Sequence, residues 1–151
     1  MILGDNMKPL GIEIQNIREK VLGITQERMA ELQNVSPKSI QNYEAGKTLP
    51  TDEFILRLAD RSGANYIALM YLRESHGFLK DFMPNVEPKD LPAAALSLMK
   101  EMADMIKIEK DLIEIACDGK VSADERQRAD IIIKEARELI AALTMIVCTL
   151  S

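Results

Sequence analysis

Helix punctuation constrains this chain more than any other feature of it. Three times before residue 64, a capping residue opens a short run that a glycine or asparagine then closes. Thr25 stands before Gln26 to Leu32, and Asn34 follows that run. Ser36-Pro37 opens a run to about Ala45, closed by Gly46. Thr51, with Asp52 and Glu53 behind it, opens a run closed by Gly63. A hydroxyl at the N-cap satisfies an orphan backbone N–H, proline suits the first helical position, and acidic residues suit the positive end of the helix dipole. Glycine and asparagine tolerate the left-handed backbone that ends a helix. Ahead of these runs, Ile14, Ile17 and Val21 space as one helical face stopped by Gly23. Met29 and Leu32 are expected to face inward from the second helix. A fifth helix is expected after Asn65, with Ile67, Leu69, Met70 and Leu72. No strand-like alternation and no internal repeat occurs, so the expected fold class is all-α.

The second half is organised differently. His76-Gly77 breaks the fifth helix, and Pro84, Pro88 and Pro92 punctuate a polar stretch. Residues 75–92 therefore read as a linker, with a short helical turn around Phe78 to Phe82. The lone His76 reads as a surface residue. From Ala93 to Cys117 the pattern is helical without Gly or Pro. Gly119 can cap that helix, and Ser122 with Glu125 forms a capping box for a second one, from about Ala123 to Leu150. Two helices joined in this way make an antiparallel hairpin. The expected organisation is residues 1–74, a linker at 75–92, and a hairpin at 93–151. Hydrophobic residues make up 47% of the chain but aromatic ones only 4%, so the core must be Leu, Ile, Met and Ala.

Several classes are disfavoured. The most apolar stretch, Leu139 to Leu150, is shorter than the ~20 residues that span a bilayer. Met1 to Met7 lacks the pattern of a signal peptide and reads as a ragged tail or an upstream start. The two cysteines, Cys117 and Cys148, form no metal-ligand pattern and fit a reducing cytoplasm. Asp118-Gly119-Lys120-Val121 with Glu125 has a faint calcium-loop look, but Ala116 would fall on a ligand position and cannot coordinate. There is no nucleophile–base set and no glycine-rich phosphate loop, so neither an enzyme nor a cofactor is expected.

The segment GITQERMAELQNVSPKSIQNYEAGKTLP, from Gly23 to Pro50, resembles the Cro/cI-type helix-turn-helix family, also called the XRE family. The matching marks are Gly23-Ile24-Thr25-Gln26, the small Ala30 where two helices cross, Val35-Ser36, Ile40, and Tyr43-Glu44-Ala45-Gly46-Lys47 with Pro50. The resemblance covers roughly residues 11–72. It implies a five-helix lambda-repressor-like domain and a sequence-specific DNA-binding transcription regulator, a repressor of the phage type. Val35 and Ile40 plug the core beneath the turn, which leaves Pro37, Lys38, Gln41 and Asn42 outward near the N-terminus of the third helix, the end that enters the major groove. Lys38 can donate to guanine and Asn42 can pair with adenine, with Gln41 a further reader. The resemblance assigns phosphate contacts to Gln26, the Gly46 and Thr48 amides, and Lys47, and Ser36 lies at the same edge. It also implies a buried pair of Arg18 with Glu44, although the segment from Arg18 to Gly23 is one residue longer than the commonest spacing.

Charge runs against that reading. The net charge is −5, whereas DNA-binding domains are usually basic. Residues 1–62 carry 8 Lys/Arg against 9 Asp/Glu, and residues 63–151 carry 11 against 15, so most of the acid lies behind the motif. Gln26 is otherwise an ordinary helix-start residue, and Lys38 and Asn42 are otherwise solvated side chains. In the hairpin, Ala129, Ile132, Ala136, Leu139, Leu143, Ile146 and Leu150 recur at alternating spacings of 3 and 4, a heptad seam widened by Ile133, Ile140 and Val147. Leu98, Met102, Met105, Leu112 and Ala116, with Met99, Ile106 and Ile113, face it from the other helix. One hairpin cannot bury so much apolar surface, so a homodimer through a four-helix bundle is expected. Packing onto the chain's own first domain is the blander arrangement. The alternative function is an antitoxin-like or adaptor subunit whose hairpin binds another protein.

Overall fold

The structure is a computed structural model, and it describes residues 9–151. The expected tail, Met1 to Met7, lies outside the described residues. These are all-helical, without strands, and divide into two compact units, one ending at Gly77 and the other beginning at Phe78.

The first unit holds α1 (Pro9–Asn16), a π-helical turn (Ile17–Val21), α2 (Gln26–Gln33), α3 (Pro37–Glu44), α4 (Asp52–Ser62) and α5 (Tyr66–Ser75). Each cap read from the sequence forms. Thr25 accepts from the Arg28 N–H at 3.2 Å, Ser36 from Ser39 N–H at 3.0 Å, and Thr51 from Phe54 N–H at 3.2 Å. Each is worth about 1 kcal/mol. Asn34 takes the left-handed conformation at φ 54°, and Gly63 does so at 71°. The core is closed by Leu10, Ile14, Ile17, Met29, Ala30, Ile40, Phe54, Ile55, Leu58 and Ile67. α1 packs on α3 and α5, α2 on α3, and α4 on α5. Tyr66 and Tyr71 fasten α5 at its start and its middle. The Tyr66 hydroxyl donates to Glu13 at 2.6 Å and the Tyr71 hydroxyl to Asp52 at 2.5 Å.

Two expectations about this core need correction. Val21 does not share the buried face of Ile14 and Ile17 but is 56% exposed. The Leu22 N–H reaches back five residues to the Ile17 carbonyl at 2.9 Å, and this wider turn swings Val21 out. Leu32 is only half-buried, and Gln33 takes the inward position. Gln33 is 2% exposed, and its amide oxygen and nitrogen both lack a partner. One close approach was not anticipated: a Cβ on Gly11 would lie 2.5 Å from the Glu44 carbonyl oxygen, so only glycine lets α1 sit on the end of α3.

The second unit holds α6 (Leu79–Phe82), α7 (Leu91–Lys107), α8 (Glu109–Ala116) and α9 (Arg126–Leu150). Asp90 caps α7 by accepting from Ala93 N–H at 2.9 Å, with Pro92 in the first turn. The long helix expected through Cys117 is broken at Ile108, where the backbone leaves helical geometry (φ −102°, ψ 5°) without Gly or Pro. α9 begins at Arg126 rather than Ala123. Glu125 does reach back to the Ser122 N–H at 3.0 Å, but the Ser122 hydroxyl donates to the same carboxylate instead of capping the helix. Arg128 of α9 meets Asp111 and Glu114 of α8, while Glu135 and Glu138 meet Glu101 of α7. Residue numbers thus fall on one side as they rise on the other, and the hairpin is antiparallel. Part of the expected linker lies against the hairpin. Val86 is buried, Lys89 donates to the Ser97 hydroxyl at 3.1 Å, and Arg137 donates to the Asp81 carbonyl.

Candidate nucleic-acid interface

An ionic network holds α3 in place. Arg18, on the π-turn, is 6% exposed and Glu44, at the end of α3, is 4% exposed. Arg18 Nε lies 2.5 Å from Glu44 Oε1 and Nη2 lies 3.1 Å from Oε2. The remaining donors go to the Ile24 carbonyl at 3.0 Å and to Glu19 at 2.9 Å. The hydrogen bond that Arg18 donates to Glu44 outweighs desolvation and holds the guanidinium pKa above its ordinary value. The extra residue between Arg18 and Gly23 is taken up by the π-turn, so the buried pair forms in spite of it. Gln26 joins the network, its Nε2 donating to Glu44 Oε2 at 2.7 Å. Start of α2, turn and end of α3 are thereby tied at one point.

With Ile40 and Glu44 inward, the opposite side of α3 is polar. Pro37, Lys38 and Gln41 are exposed, and Asn42 is half-buried beside them. Tyr43 turns back to stack edge-on against Phe54, at 5.1 Å between ring centres. The Ser36 hydroxyl is engaged as the cap of α3, so it secures the entry to the helix. Gln26 spends one amide hydrogen on Glu44, and the second hydrogen of that nitrogen stays available for an acceptor. In the following loop, Lys47 and Thr48 are exposed. The Gly46 N–H is committed to the Tyr43 carbonyl at 3.0 Å, whereas the Thr48 N–H has only a long 3.5 Å contact with the Asn42 carbonyl. Arg28 pairs with Glu31 and Arg57 with Glu53, but Lys38 and Lys47 make no ion pair among the described residues.

The seam residues of α9 separate into two sets. Ile132, Ala136, Leu139 and Ile146 are half-buried within the chain, while Leu143 (47%) and Leu150 (67%) are exposed. Ile133, Ile140 and Val147 are exposed with them, as are Leu96, Met99 and Ile106 of α7. Neither the burial of Gln33 nor the gathering of glutamates inside the hairpin was anticipated from the sequence. A polar residue four positions after Met29 was the available signal for Gln33.

A capped helix, a short left-handed turn and a second capped helix with a polar outer face define a helix-turn-helix domain. Residues 9–66 match the family model described as a helix-turn-helix domain. The matched residues lie within the first unit, and the match is in keeping with regulators of the XRE type. No curated protein and no solved structure matches the chain. Among the described residues, no helix is long and apolar enough to cross a membrane.

Proposed function

We propose that this chain is a sequence-specific DNA-binding transcription regulator, a repressor of the phage type, that works as a homodimer through its C-terminal hairpin. One observation supports this above the rest: the outer face of α3 presents Lys38 in its first turn and Gln41 and Asn42 a turn further on, on a backbone fixed by the Arg18–Glu44 pair. Phosphate contacts from Lys47, Gln26 and the Thr48 amide would set the register, and the α3 side chains would read bases. The low overall charge makes this local placement the source of affinity. The exposed rows on α7 and α9 support a second copy as the partner, because helix-turn-helix proteins read two half-sites across a two-fold axis. In this reading the protein is not an enzyme and acts in the cytoplasm.

The test is selection of bound sequences from a random DNA pool, with wild type and Lys38→Ala. Wild type should enrich a two-fold symmetric site. Lys38→Ala should lose about 1–3 kcal/mol against that site and relax preference at one base position in each half. Enrichment of no sequence by wild type would refute DNA reading, and an unchanged profile for the variant would remove Lys38 from it. The adaptor reading has its own support in the acidic, apolar-faced hairpin. A monomeric wild type that enriches no DNA would favour it.

A further inference from the structure

The hairpin buries negative charge between its helices. Glu101 on α7 is 8% exposed, and Glu135 and Glu138 approach it from α9. One carboxylate oxygen from each lies within 4.8 Å of the other two. Lysines neutralise one side of this group. Lys100 is 2.9 Å from Glu101 Oε1, and Lys134 is 3.1 Å and 3.2 Å from the Oε1 atoms of Glu135 and Glu138. Glu101 Oε2 is different: it is buried and has no hydrogen-bond partner. Glu101 and Glu138 also line a cavity of about 330 Å³, whose wall adds the oxygen-bearing side chains of Asn85, Glu87 and Ser97.

We propose that Glu101, Glu135 and Glu138 form a binding site for a hard divalent cation of calcium size, which pins α7 to α9. A carboxylate oxygen out of water without a partner is costly, and the two ammonium groups do not reach it. A cation among the three carboxylates supplies the missing contact. The donors are oxygens without thiol or imidazole, which selects calcium, manganese or magnesium over zinc or copper. Calcium–oxygen distances of roughly 2.3–2.6 Å allow ligands up to about 4.6–5.2 Å apart, and oxygens within 4.8 Å of one another fall inside that reach. Magnesium, at about 2.0–2.1 Å, demands a near-ideal octahedron, which side chains from two separate helices meet less readily than calcium's flexible shell. The cavity beside Glu101 and Glu138 has room for the waters that complete the shell. The proposal does not depend on DNA binding.

The experiment titrates the chelator-stripped full chain with Mn²⁺, followed by its electron paramagnetic resonance signal, and then with Ca²⁺ as competitor. Wild type should bind one Mn²⁺ per chain, release it to Ca²⁺, and melt at a higher temperature with Ca²⁺ present. Glu101→Gln, nearly isosteric, should weaken Mn²⁺ binding at least about tenfold, while Glu109→Gln, on the exposed side of α8, should leave it unchanged. If Glu101→Gln loses its helical circular dichroism, Glu138→Gln decides in its place with the same expected loss. No saturable binding by wild type, or equal binding by wild type and the deciding glutamine variant, overturns the site. Either result would mean that Lys100 and Lys134 balance the cluster alone.

Discussion

The two units of this chain contain similar helices but bury them differently. All eight of the most deeply buried large side chains lie in the first unit, from Ile14 to Ile67. Five of the twenty-one exposed large hydrophobics lie there, against sixteen in the hairpin unit. The first unit is closed: five short helices enclose a shared buried core. In the hairpin, α9 offers apolar residues around more of its circumference than α7 and α8 can cover. A closed unit keeps polar side chains on its outer face, while an open one leaves apolar surface uncovered.

The largest expected effect strikes the closed unit. Glu44→Ala leaves the Arg18 guanidinium buried without its carboxylate and should cost the first unit about 3–5 kcal/mol. In a denaturant titration followed by circular dichroism, the transition of the first unit should move far down while helical signal from the hairpin persists. A single unshifted transition would break the comparison. Next comes the open unit, where the two sets of apolar residues should respond differently. Leu143→Asp falls on the exposed row and should weaken the dimer by at least about thirtyfold, equivalent to ~2 kcal/mol, with helicity retained. Met145→Asp, at 4% exposure, should unfold the hairpin. Sedimentation with circular dichroism distinguishes them, and a wild-type monomer would refute the homodimer.

Smaller changes sharpen the contrast. Gln33→Leu should raise the stability of the first unit by about 1–2 kcal/mol, because a buried amide with no partner is replaced by apolar volume. A lower melting temperature would show that Gln33 has a partner, such as a buried water. Lys47→Ala should leave stability unchanged, weaken binding to all DNA alike and flatten the salt dependence by about one unit. A sequence-selective loss without a change in salt slope would remove Lys47 from the phosphate contacts.

What the sequence disclosed was local. Thr25, Ser36, Thr51 and Gly63 act within a turn of their own position, so their effect can be read from neighbours a few residues away. Ile40 inward and Lys38 outward follow from helical spacing once α3 has a start. The misses arose where distant parts meet or where the period shifts. Met29 predicts an inward residue three or four positions on, and only packing chose Gln33 over Leu32. The break at Ile108 carries no Gly or Pro to announce it. The meeting of Glu101 with Glu135 and Glu138 spans 34 residues or more, and each glutamate alone looks like an ordinary solvated charge.

The π-turn at Ile17–Val21 has a consequence for how this lineage can vary in length. An inserted residue in an α-helix rotates everything after it by about 100°, which would carry whatever follows away from its contacts. Here the surplus is absorbed over a single turn after Arg18, and the chain re-enters Gly23 in phase. Insertion and deletion at that point are therefore nearly neutral exchanges between two turn widths, while the same event two turns earlier, beside Gly11, would shift α1 against the backbone of α3. Aligned against relatives with the shorter spacing, this chain should carry its one-residue insertion between Arg18 and Gly23, with the gap in the relatives, and its salt-bridged arginine should stay in its column.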